Sequence, residues 1–307
     1  MIYEINPSYS INDFVKKMKK NDILILEDGI YNEKVYITNN NITIKAKNNN
    51  KAIIQNNDYY HKIMENNNEC NTFGTYTVYI GGNNITLDGL YIKNLSIPSR
   101  IYGQAVSLHV DGNHFLCKNS IIESAQDTLF TGPLPPDLQI RYKNFHTSDI
   151  LKPTSSFQVY LNCKIIGDVD FIFGCATALF KQCEIIAIDN TSTHSLYISA
   201  PAHNLDQPFG YLFLECKITC HKPAFLSRPW RDYGCAAFIN NELQNINSLG
   251  FDKWNNSNRD KTARYYEYSP NLDTSNRVSW SHQFSNTESK KYIKDFLKYI
   301  DYESWVK

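Results

Sequence analysis

Four short segments of the sequence carry polar side chains suited to acid–base or nucleophilic chemistry. They are GQAVSL (103–108), AQDTLF (125–130), GDVDFIFG (167–174) and LSRPW (226–230). The carboxylates of Asp127 and Asp170 stand among apolar and aromatic residues, where burial of an unpaired charge is costly. A lone aspartate at the end of a strand is more often a turn or hydrogen-bonding residue. Each carboxylate therefore needs either a structural partner or a chemical function.

The joint occurrence of these residues favours a chemical function. The amide of Gln126 stands beside Asp127, and the guanidinium of Arg228 precedes a rigid Pro-Trp pair. Two carboxyls brought together in one apolar pocket divide their protonation, so that one can serve as an acid and the other as a base. The sequence has no Gly-x-Ser-x-Gly segment, so a serine triad lacks its usual support.

Short apolar runs separated by turn residues must position these groups. The runs have four to nine residues, are rich in Ile, Val, Tyr, Phe and Thr, and alternate with Asn, Gly and Asp. They are NITIKA, KAIIQN, YTVYI, NITLDGLYI, AVSLHV, VYLNCKII and YLFLECKIT. This pattern predicts an all-β chain.

The runs also repeat. Segment 82–92 aligns without gaps on segment 112–122, which matches Leu87 to Cys117. A second phrase, in which Cys is followed by a charge and Ile, recurs at Cys163, Cys183 and Cys216. Units of 20 to 30 residues that cannot bury their own apolar face are typical of a stacked solenoid. We therefore predict a single-stranded right-handed parallel β-helix with inward-pointing cysteines; a β-sandwich is the alternative, but it does not explain the shared phrase and direction.

Both ends of such a solenoid need to be covered. Residues 10–18 and 289–305 have apolar side chains at helical spacing. We expect them to form short capping helices at the N-terminal and C-terminal ends of one domain that spans residues 1–307.

Composition excludes several classes of protein. Hydrophobic residues make up 42% of the 307 residues and charged residues 20%, which is ordinary for a globular protein. The 31 basic and 31 acidic residues cancel, so the long-range attraction used by nucleic-acid and anionic-membrane binders is missing. The N-terminus lacks the pattern of a secretory signal, so we expect a cytoplasmic location. Eight cysteines are too few for a disulfide scaffold and should stay free there.

The ordered segments resemble the signature blocks of the pectin methylesterases. Besides the four segments above, the similar blocks are DGIYNEKVYI (28–37), TFGTYTV (72–78), TARYYEY (262–268) and RVSW (277–280). Together they extend over most of the chain. The resemblance implies a right-handed parallel β-helix and a carboxylic ester hydrolase.

The resemblance also implies roles for individual residues. Asp170 would be the nucleophile, Asp127 the general acid and base, and Arg228 the residue that orients the nucleophile. Gln104 and Gln126 would stabilise the oxyanion. The residues expected to contact substrate are Thr72, Phe73, Gln104, Phe130, Arg228, Trp230 and Trp254. For Phe130, Trp230 and Trp254, burial in the core is the alternative to stacking on a sugar.

The implied reaction is hydrolysis of a methyl ester of galacturonic acid. Ionised Asp170 attacks the C6 carbonyl, and protonated Asp127 gives its proton to the departing methoxide. The implied partner is methyl-esterified galacturonan or an imported oligogalacturonide, bound by a monomer without cofactor. We expect no metal site, because the Cys216 and Cys220 pair with adjacent His221 lacks the second half of a ligand set.

The sequence departs from the family pattern at several positions. Ser227 stands where Gly is usual and could crowd Arg228, while Cys175 and Phe251 replace other usual residues. Segment 132–156 lengthens the connection between the two aspartates, and we expect it to reshape the groove and narrow the range of substrate lengths.

Three alternative functions remain open from the sequence. A β-helix glycoside hydrolase could use the same two aspartates as acid and base. The departures also make a catalytically silent carbohydrate-binding solenoid conceivable. An esterase or thioesterase of changed acyl specificity could keep the same scaffold.

Overall fold

The computed structural model describes residues 1–65, 67–142, 156–190 and 195–306. Its strands, in chain order, are β1 (Ile2–Ile5), β2 (Ile23–Leu26), β3 (Gly29–Asn32), β4 (Val35–Ile37), β5 (Thr43–Ala46), β6 (Ala52–Asn56), β7 (Val78–Ile80), β8 (Thr86–Asp88), β9 (Tyr91–Asn94), β10 (Leu108–Val110), β11 (Phe115–Lys118), β12 (Ile121–Glu123), β13 (Leu129–Thr131), β14 (Phe157–Leu161), β15 (Lys164–Gly167), β16 (Val169–Gly174), β17 (Thr177–Lys181), β18 (Glu184–Ala187), β19 (Leu196–Pro201), β20 (Tyr211–Leu214), β21 (Lys217–Ser227), β22 (Cys235–Ile239), β23 (Glu242–Ile246), β24 (Arg264–Tyr268) and β25 (His282–Gln283). The α-helices are α1 (Ile11–Val15), α2 (Ser99–Tyr102), α3 (Pro136–Tyr142), α4 (Asn286–Tyr299) and α5 (Tyr302–Trp305).

The strands stack in three parallel columns. Sheet A has the order β1-β2-β5-β8-β11-β14-β17-β20-β22-β24-β25. Column B has the order β3-β6-β9-β12-β15-β18-β21, and column C the order β4-β7-β10-β13-β16-β19-β21, so the long strand β21 joins the two into one sheet. Successive coils contribute one strand to each column, and crossovers between parallel strands of one sheet are right-handed. The predicted right-handed parallel β-helix is thus confirmed.

The sequence repeats correspond to the register of these columns. Leu87 pairs with Cys117 across β8 and β11, as the alignment of the two segments predicts. The residues after the three repeated cysteines, Lys164, Glu184 and Lys217, pair in series across β15, β18 and β21. Each repeat is therefore one coil of the stack.

Single residues with a left-handed backbone turn the chain from sheet A into column B. In five successive coils they have φ between 51° and 56°: Asn119, Asn162, Gln182, Glu215 and Asn240. Asparagine tolerates this conformation better than most residues, which explains the many Asn turns. Asn162 Nδ2 also donates to Asn119 Oδ1 at 2.9 Å, so the turns are bonded from coil to coil.

Apolar side chains fill the interior in registered layers. Tyr160, Phe180, Phe213 and Phe238 stack in series with ring centroids 4.8, 4.7 and 4.4 Å apart. All eight cysteines are buried and free, as predicted, and Cys117 Sγ lies 3.8 Å from Cys163 Sγ. Thiols here fill space as small apolar groups.

The two ends of the stack are covered in different ways. Helix α1 buries Ile11 and Val15 in the main core, next to the first coils, which confirms the N-terminal cap. At the other end Trp280 packs on Tyr265, with ring centroids 5.6 Å apart, and the loop that carries it covers the last coil.

Helix α4 lies in a different place from the one expected. Its residues Phe296 and Ile300 pack against Leu116, Val159 and Leu179, which point outward from sheet A. The helix therefore lies along the outside of sheet A, and the prediction of a C-terminal end cap is wrong. Without the helix, the outward apolar side chains of five strands would be exposed to water. Covering them therefore stabilises the fold more than covering the end of the stack would.

Candidate active site

One cleft on the outer side of column C brings together nine of the ten residues predicted for the site. It is lined by Thr72, Phe73, Gln104, Gln126, Asp127, Asp170, Phe173, Ala200, Arg228, Trp230 and Trp254. These positions are spread over more than 180 residues of sequence, and the coil register makes them neighbours. Phe173 and Ala200 are the two lining residues that were not predicted to contact substrate.

A β-bulge aims Asp170 into the cleft. The pairing of β16 with β19 shifts between Val169 and Ile172, and Asp170 has φ 49°. The extra residue lets Asp170 and Phe173 line the cleft while Phe171 and Ile172 both remain in the core. A left-handed aspartate inside a strand is strained, and such strain is typical of functional sites.

Arg228 holds Asp170 through two hydrogen bonds. Arg228 Nε donates to Asp170 Oδ1 at 2.8 Å, and Nη2 donates to Oδ2 at 2.6 Å. Both side chains are largely buried, with exposed fractions of 14% and 8%. Burial raises the pKa of Asp170, and the ion pair with Arg228 opposes that rise. The bidentate geometry thus favours an ionised Asp170 in a place that otherwise disfavours charge.

Among the described residues Asp127 has no such ion pair, and its pKa is raised further. Its backbone has φ 63°, and its N–H donates to the carbonyl of Val169 at 3.1 Å. Burial, together with the negative charges of Asp170 and Asp168, raises the pKa of Asp127 well above its usual range. The two carboxyls therefore face the same cleft in different electrostatic environments, because only Asp170 has the two hydrogen bonds from Arg228.

Gln104 and Gln126 present side-chain amides beside the two carboxyls. The two residues are aligned by an isolated parallel bridge, and the N–H of Ala105 donates to the Gln126 carbonyl at 3.1 Å. Within the described ranges neither amide donates to a protein acceptor. Both amides can therefore donate to an oxygen of a bound molecule.

A capped turn positions Thr72 at the rim. Asn71 Oδ1 accepts a hydrogen bond from Gly74 N at 3.0 Å, and Thr75 Oγ1 donates to the Thr72 carbonyl at 2.7 Å. Thr75 Oγ1 in turn accepts from Val106 N at 2.8 Å, which ties this turn to the segment that carries the first glutamine.

Aromatic rings form one wall of the cleft. Trp230 lies edge to face with Phe173, with centroids 5.7 Å apart, and 6.5 Å from Phe73. Phe130 does not belong to this surface, because it is fully buried beneath Phe73 and Phe173 at 5.1 and 4.9 Å. The prediction that Phe130 contacts substrate is therefore wrong, and its ring supports the two rings above it.

Trp254 makes a contact that the sequence did not reveal. Its ring lies 4.3 Å from the Arg228 guanidinium carbon, and its backbone has φ 70°. It lines the cleft as expected, and it also covers one face of the arginine.

Three polar residues near the two carboxyls were missed. The ring centroid of Tyr197 lies 3.8 Å from the Arg228 guanidinium carbon, and the Tyr197 hydroxyl donates to Asp252 Oδ2 at 2.8 Å. Asp168 is fully buried and accepts hydrogen bonds from Ser99 Oγ and from Val169 N. A signal existed only for Asp168, which lies two residues before Asp170 in the same motif.

The departures from the family pattern fit without distortion. The Ser227 side chain points away from Arg228, lies 2.9 Å from Ser199 Oγ and donates to the Ser199 carbonyl at 3.2 Å. The expected crowding of the arginine is thus wrong. Cys175 is buried against the Pro133 carbonyl, and Phe251 stacks on Tyr265 at 4.8 Å.

The long connection between the carboxyls contributes to the same aromatic wall. Leu134 and Leu138 belong to one buried cluster with Phe73 and Phe173. Residues 143–155 of the predicted insertion lie outside the described residues.

In the ranges that the structure describes, no group of three or more His, Cys, Asp or Glu side chains is placed to hold a metal ion. Cys216 and Cys220 are instead part of the core. No helix in the described part of the chain has the length and apolarity needed to cross a membrane.

Comparisons with known proteins agree on one family. The family model described as Pectinesterase matches residues 7–133 and 138–300. Probable pectinesterase/pectinesterase inhibitor 19 of Arabidopsis thaliana is 28% identical over 305 residues, covering 94% of this chain and 52% of that protein. Putative pectinesterase 14 of the same plant is 25% identical, covering 97% of this chain and 83% of the relative. The chain spans about half the length of the first of these relatives.

Solved structures share the fold. Pectin methylesterase from carrot superposes with a TM-score of 0.83 at 22% identity, covering 99% of this chain and 94% of that one. Pectin methylesterase from Yersinia enterocolitica has a TM-score of 0.75 at 22% identity, with 97% and 99% covered. From the match along nearly its whole length, this chain belongs to the pectinesterase family.

Proposed function

We propose that the protein is a pectin methylesterase, which hydrolyses methyl esters of galacturonic acid units in pectin or pectic oligosaccharides to free carboxylate and methanol. One observation carries the proposal. The bidentate pair of Arg228 and Asp170 lies in the same cleft as Asp127, whose pKa is strongly raised, and two donor amides. Family membership supports the choice of a carboxylic ester as substrate.

The proposed first step forms an acyl-enzyme. An oxygen of ionised Asp170 attacks the C6 carbonyl, and the amides of Gln104 and Gln126 donate to the oxyanion that develops. The tetrahedral intermediate collapses with cleavage of the bond to the methoxy group. Asp127 gives its proton to that leaving group, so methanol departs and an anhydride with Asp170 remains.

The second step restores the enzyme. Asp127, now ionised, takes a proton from a water molecule that attacks the acyl carbon. The bond to Asp170 breaks, the free galacturonate forms, and Asp127 again holds a proton. The burial that raises the pKa of Asp127 serves both steps, because a group that regains its proton easily is an effective acid and base.

The aromatic wall supports a carbohydrate substrate. Phe73 and Trp230 line the cleft beside the carboxyls and can pack on a sugar ring. A pectin methylesterase of the same fold, with a TM-score of 0.73, has been solved in complex with a hexasaccharide. We propose that methyl-esterified galacturonan or its oligosaccharides occupy this cleft, and that segment 132–156 selects among chain lengths.

The cellular location and the oligomeric state stay predictions. Action in the cytoplasm on imported oligosaccharides is tested by fractionation of the source cells and detection of the protein. A monomer is tested by sedimentation of the purified protein at several concentrations.

The main test follows alcohol and reducing ends together. We expect the purified protein to release methanol from methylated tri- to hexagalacturonides and from pectin, without new reducing ends. Asp170→Asn should lower methanol release by about 10³-fold or more, because the nucleophile is lost. The matched control Asp28→Asn removes an exposed carboxylate outside the cleft and should retain the normal rate.

Other outcomes would select other functions. New reducing ends without methanol would indicate a glycoside hydrolase. Neither product, together with measurable oligosaccharide binding, would indicate a binding protein. Hydrolysis only of unrelated esters or thioesters would contradict the proposed substrate, and near-normal methanol release by Asp170→Asn would contradict the proposed nucleophile.

A further inference from the structure

Tyr197 contacts the Arg228 guanidinium, and Asp252 accepts the hydrogen bond of the Tyr197 hydroxyl. We propose that these two residues are positioning residues, which hold the Arg228 guanidinium in the orientation that pairs with the nucleophile. The proposal rests on the proposed function of the cleft. Neither Tyr197 nor Asp252 belongs to the cleft lining, so Tyr197 acts on the reaction through Arg228, and Asp252 acts through Tyr197 and through its own charge.

Two aromatic rings and one carboxylate hold the guanidinium. Its carbon lies 3.8 Å from the ring centroid of Tyr197 and 4.3 Å from that of Trp254. The edge of the guanidinium is occupied by the two hydrogen bonds to Asp170. Stacking of an arginine on an aromatic ring is strongest at desolvated sites such as this one.

Tyr197 is itself rigid. It lies in β19, paired on one side with Val169 of β16 and on the other with Phe225 of β21. Its ring stacks on Phe225 at 5.3 Å with an interplanar angle of 12°. The strand that carries Tyr197 therefore lies between the strand of the nucleophile and the strand that leads to the arginine.

Asp252 fixes the hydroxyl end of Tyr197. Asp252 Oδ2 accepts a hydrogen bond from the Tyr197 hydroxyl at 2.8 Å, and the Asp252 backbone N–H donates to the Ser227 carbonyl at 3.1 Å. Lys253 N donates to its other carboxylate oxygen at 2.7 Å. Two residues later the same loop places Trp254, with its left-handed backbone, on the arginine. One loop thus supplies both the second ring and the acceptor that holds the first.

Tyr197 and Asp252 have opposite effects on the pKa of Asp170. Tyr197 acts through the arginine that it holds, and Asp252 acts through its own negative charge. The titratable or charged groups around Asp170 are Asp127, Asp168, Tyr197, Arg228, Asp252 and Tyr265. The negative charge of Asp252 raises the pKa of Asp170, whereas the paired arginine lowers it. Burial and the hydrogen bond to Asp252 raise the pKa of Tyr197 to about 12, so the hydroxyl remains a donor at neutral pH.

Three variants separate these effects. Tyr197→Leu removes the stacking ring, so Arg228 should move away from Asp170 and the pKa of Asp170 should rise. Asp252→Asn keeps an oxygen that can accept the tyrosine hydrogen bond but removes the charge, so the pKa of Asp170 should fall. Tyr197→Phe keeps the ring and loses only the hydroxyl.

The experiment measures kcat and KM for methanol release from methylated oligogalacturonides as a function of pH. For Tyr197→Leu we expect kcat to fall about tenfold with KM within about twofold, and the acidic limb of the profile to move to higher pH. Tyr197→Phe should restore kcat to within about threefold of the unmodified protein. For Asp252→Asn the acidic limb should move to lower pH.

A direct titration makes the test independent of turnover. The carboxyl carbon of Asp170, assigned with Asp170→Asn, is followed by NMR from acid to neutral pH in each variant. If the unmodified protein releases no methanol, the proposed function fails, while this titration still decides the positioning. Should Tyr197→Leu not fold, Tyr197→Phe and Asp252→Asn provide the comparison. A loss confined to KM, or shifts of Asp170 in the same direction for Tyr197→Leu and Asp252→Asn, would overturn the inference.

Discussion

The two cleft carboxyls differ in partner rather than in depth. Asp170 and Asp127 are both buried and both have a left-handed backbone, yet only Asp170 accepts two hydrogen bonds from Arg228. The ion pair favours charge on Asp170, and the resulting negative charge favours a proton on Asp127. In the proposed mechanism, this arginine therefore distinguishes the nucleophile from the general acid.

This assignment predicts a bell-shaped dependence of kcat/KM on pH. Activity should fall in acid as Asp170 gains a proton and in alkali as Asp127 loses one. The Asp168 carboxylate raises the pKa of Asp127, so in Asp168→Asn the alkaline limb should move to lower pH. Methanol release measured from acid to alkaline pH checks this, and an alkaline limb that moves upward would contradict it.

Asp168 should also make stability depend on pH. Burial raises its folded-state pKa to about 6 from an ordinary value of 3.8, so the folded protein binds a proton that the unfolded chain releases. Stability from this group is fully present below pH 3.8 and is lost as pH rises through 6, by about 3 kcal/mol in total. Denaturant unfolding at pH 4 and pH 7.5 should show a smaller loss in Asp168→Asn than in the unmodified protein, because the raised pKa values of Asp127 and Asp170 remain in both.

The hydrogen-bonding partner of Asp168 provides a control. Ser99 donates to the carboxylate and opposes the rise in its pKa. Ser99→Ala should therefore increase the loss of stability between the same two pH values. An equal loss in all three proteins would show that another group is responsible.

Ser227 should be structural rather than inhibitory. Its hydroxyl bonds to Ser199 inside the coil and leaves Arg228 undisturbed. Ser227→Gly should leave methanol release within about twofold and lower the free energy of unfolding by about 1 kcal/mol, through a lost hydrogen bond and added chain freedom. A clear gain in kcat would instead support crowding of the arginine.

At the residue scale, the sequence predicted groups that stand in motifs and missed groups that support them. Asp127, Asp170 and Arg228 lie in short blocks whose residue types are unusual in strands. Tyr197 lies in an ordinary strand, and Asp252 lies far along the chain from its partners. Their roles depend on which coils become neighbours, and the sequence of a single strand does not show which coils those are.

The position of helix α4 illustrates the limit at the scale of elements. Its helical spacing was predicted correctly, since Tyr292, Phe296 and Ile300 share one face. The surface on which the helix packs was not predicted correctly. The signal was present in sheet A, where strands such as β17 and β20 are apolar on both faces, which is typical of a sheet that is covered on each side.

The side-lying helix should contribute much of its stability through Phe296. This ring is fully buried between α4 and sheet A. Phe296→Ala should lower the free energy of unfolding by about 4 kcal/mol, whereas Lys290→Ala on the exposed side should change it by less than about 0.5 kcal/mol. Denaturant titration checks both, and the folded fraction of Phe296→Ala should keep the normal pH profile because the helix lies on a different column from the cleft.

At the scale of the whole molecule, the coil repeat made the fold predictable. Cysteines at corresponding positions revealed which segments stack, and their neighbours do pair in the columns. The depth and composition of the cleft could not be read from the repeat, because loops of unequal length determine them. Phe130 was misassigned for this reason, since Phe73 on another loop covers it.

The buried thiols give a test of the stack as a unit. All eight cysteines are buried and free, so a thiol reagent should label fewer than one per native molecule and eight after denaturation. Partial labelling of the native protein at several sites would contradict a uniformly closed interior. Stability should be the same with and without a reducing agent, because no disulfide contributes to it.

Strand β21 has one more consequence. Every earlier coil bends through a connection between columns B and C, whereas β21 continues from one to the other without a loop and reaches Arg228 one residue after its end. The pairing of β21 with β23 shifts register between Thr219 and Ala224, where the strand passes from one column to the other. Side chains alternate along the regular stretch that follows, so a single amino acid added between Ala224 and Ser227 would turn the arginine toward the interior. The connection between β13 and β14, by contrast, already holds residues 132–156. Related proteins should therefore vary in length in the connection between β13 and β14 and keep a constant length in β21.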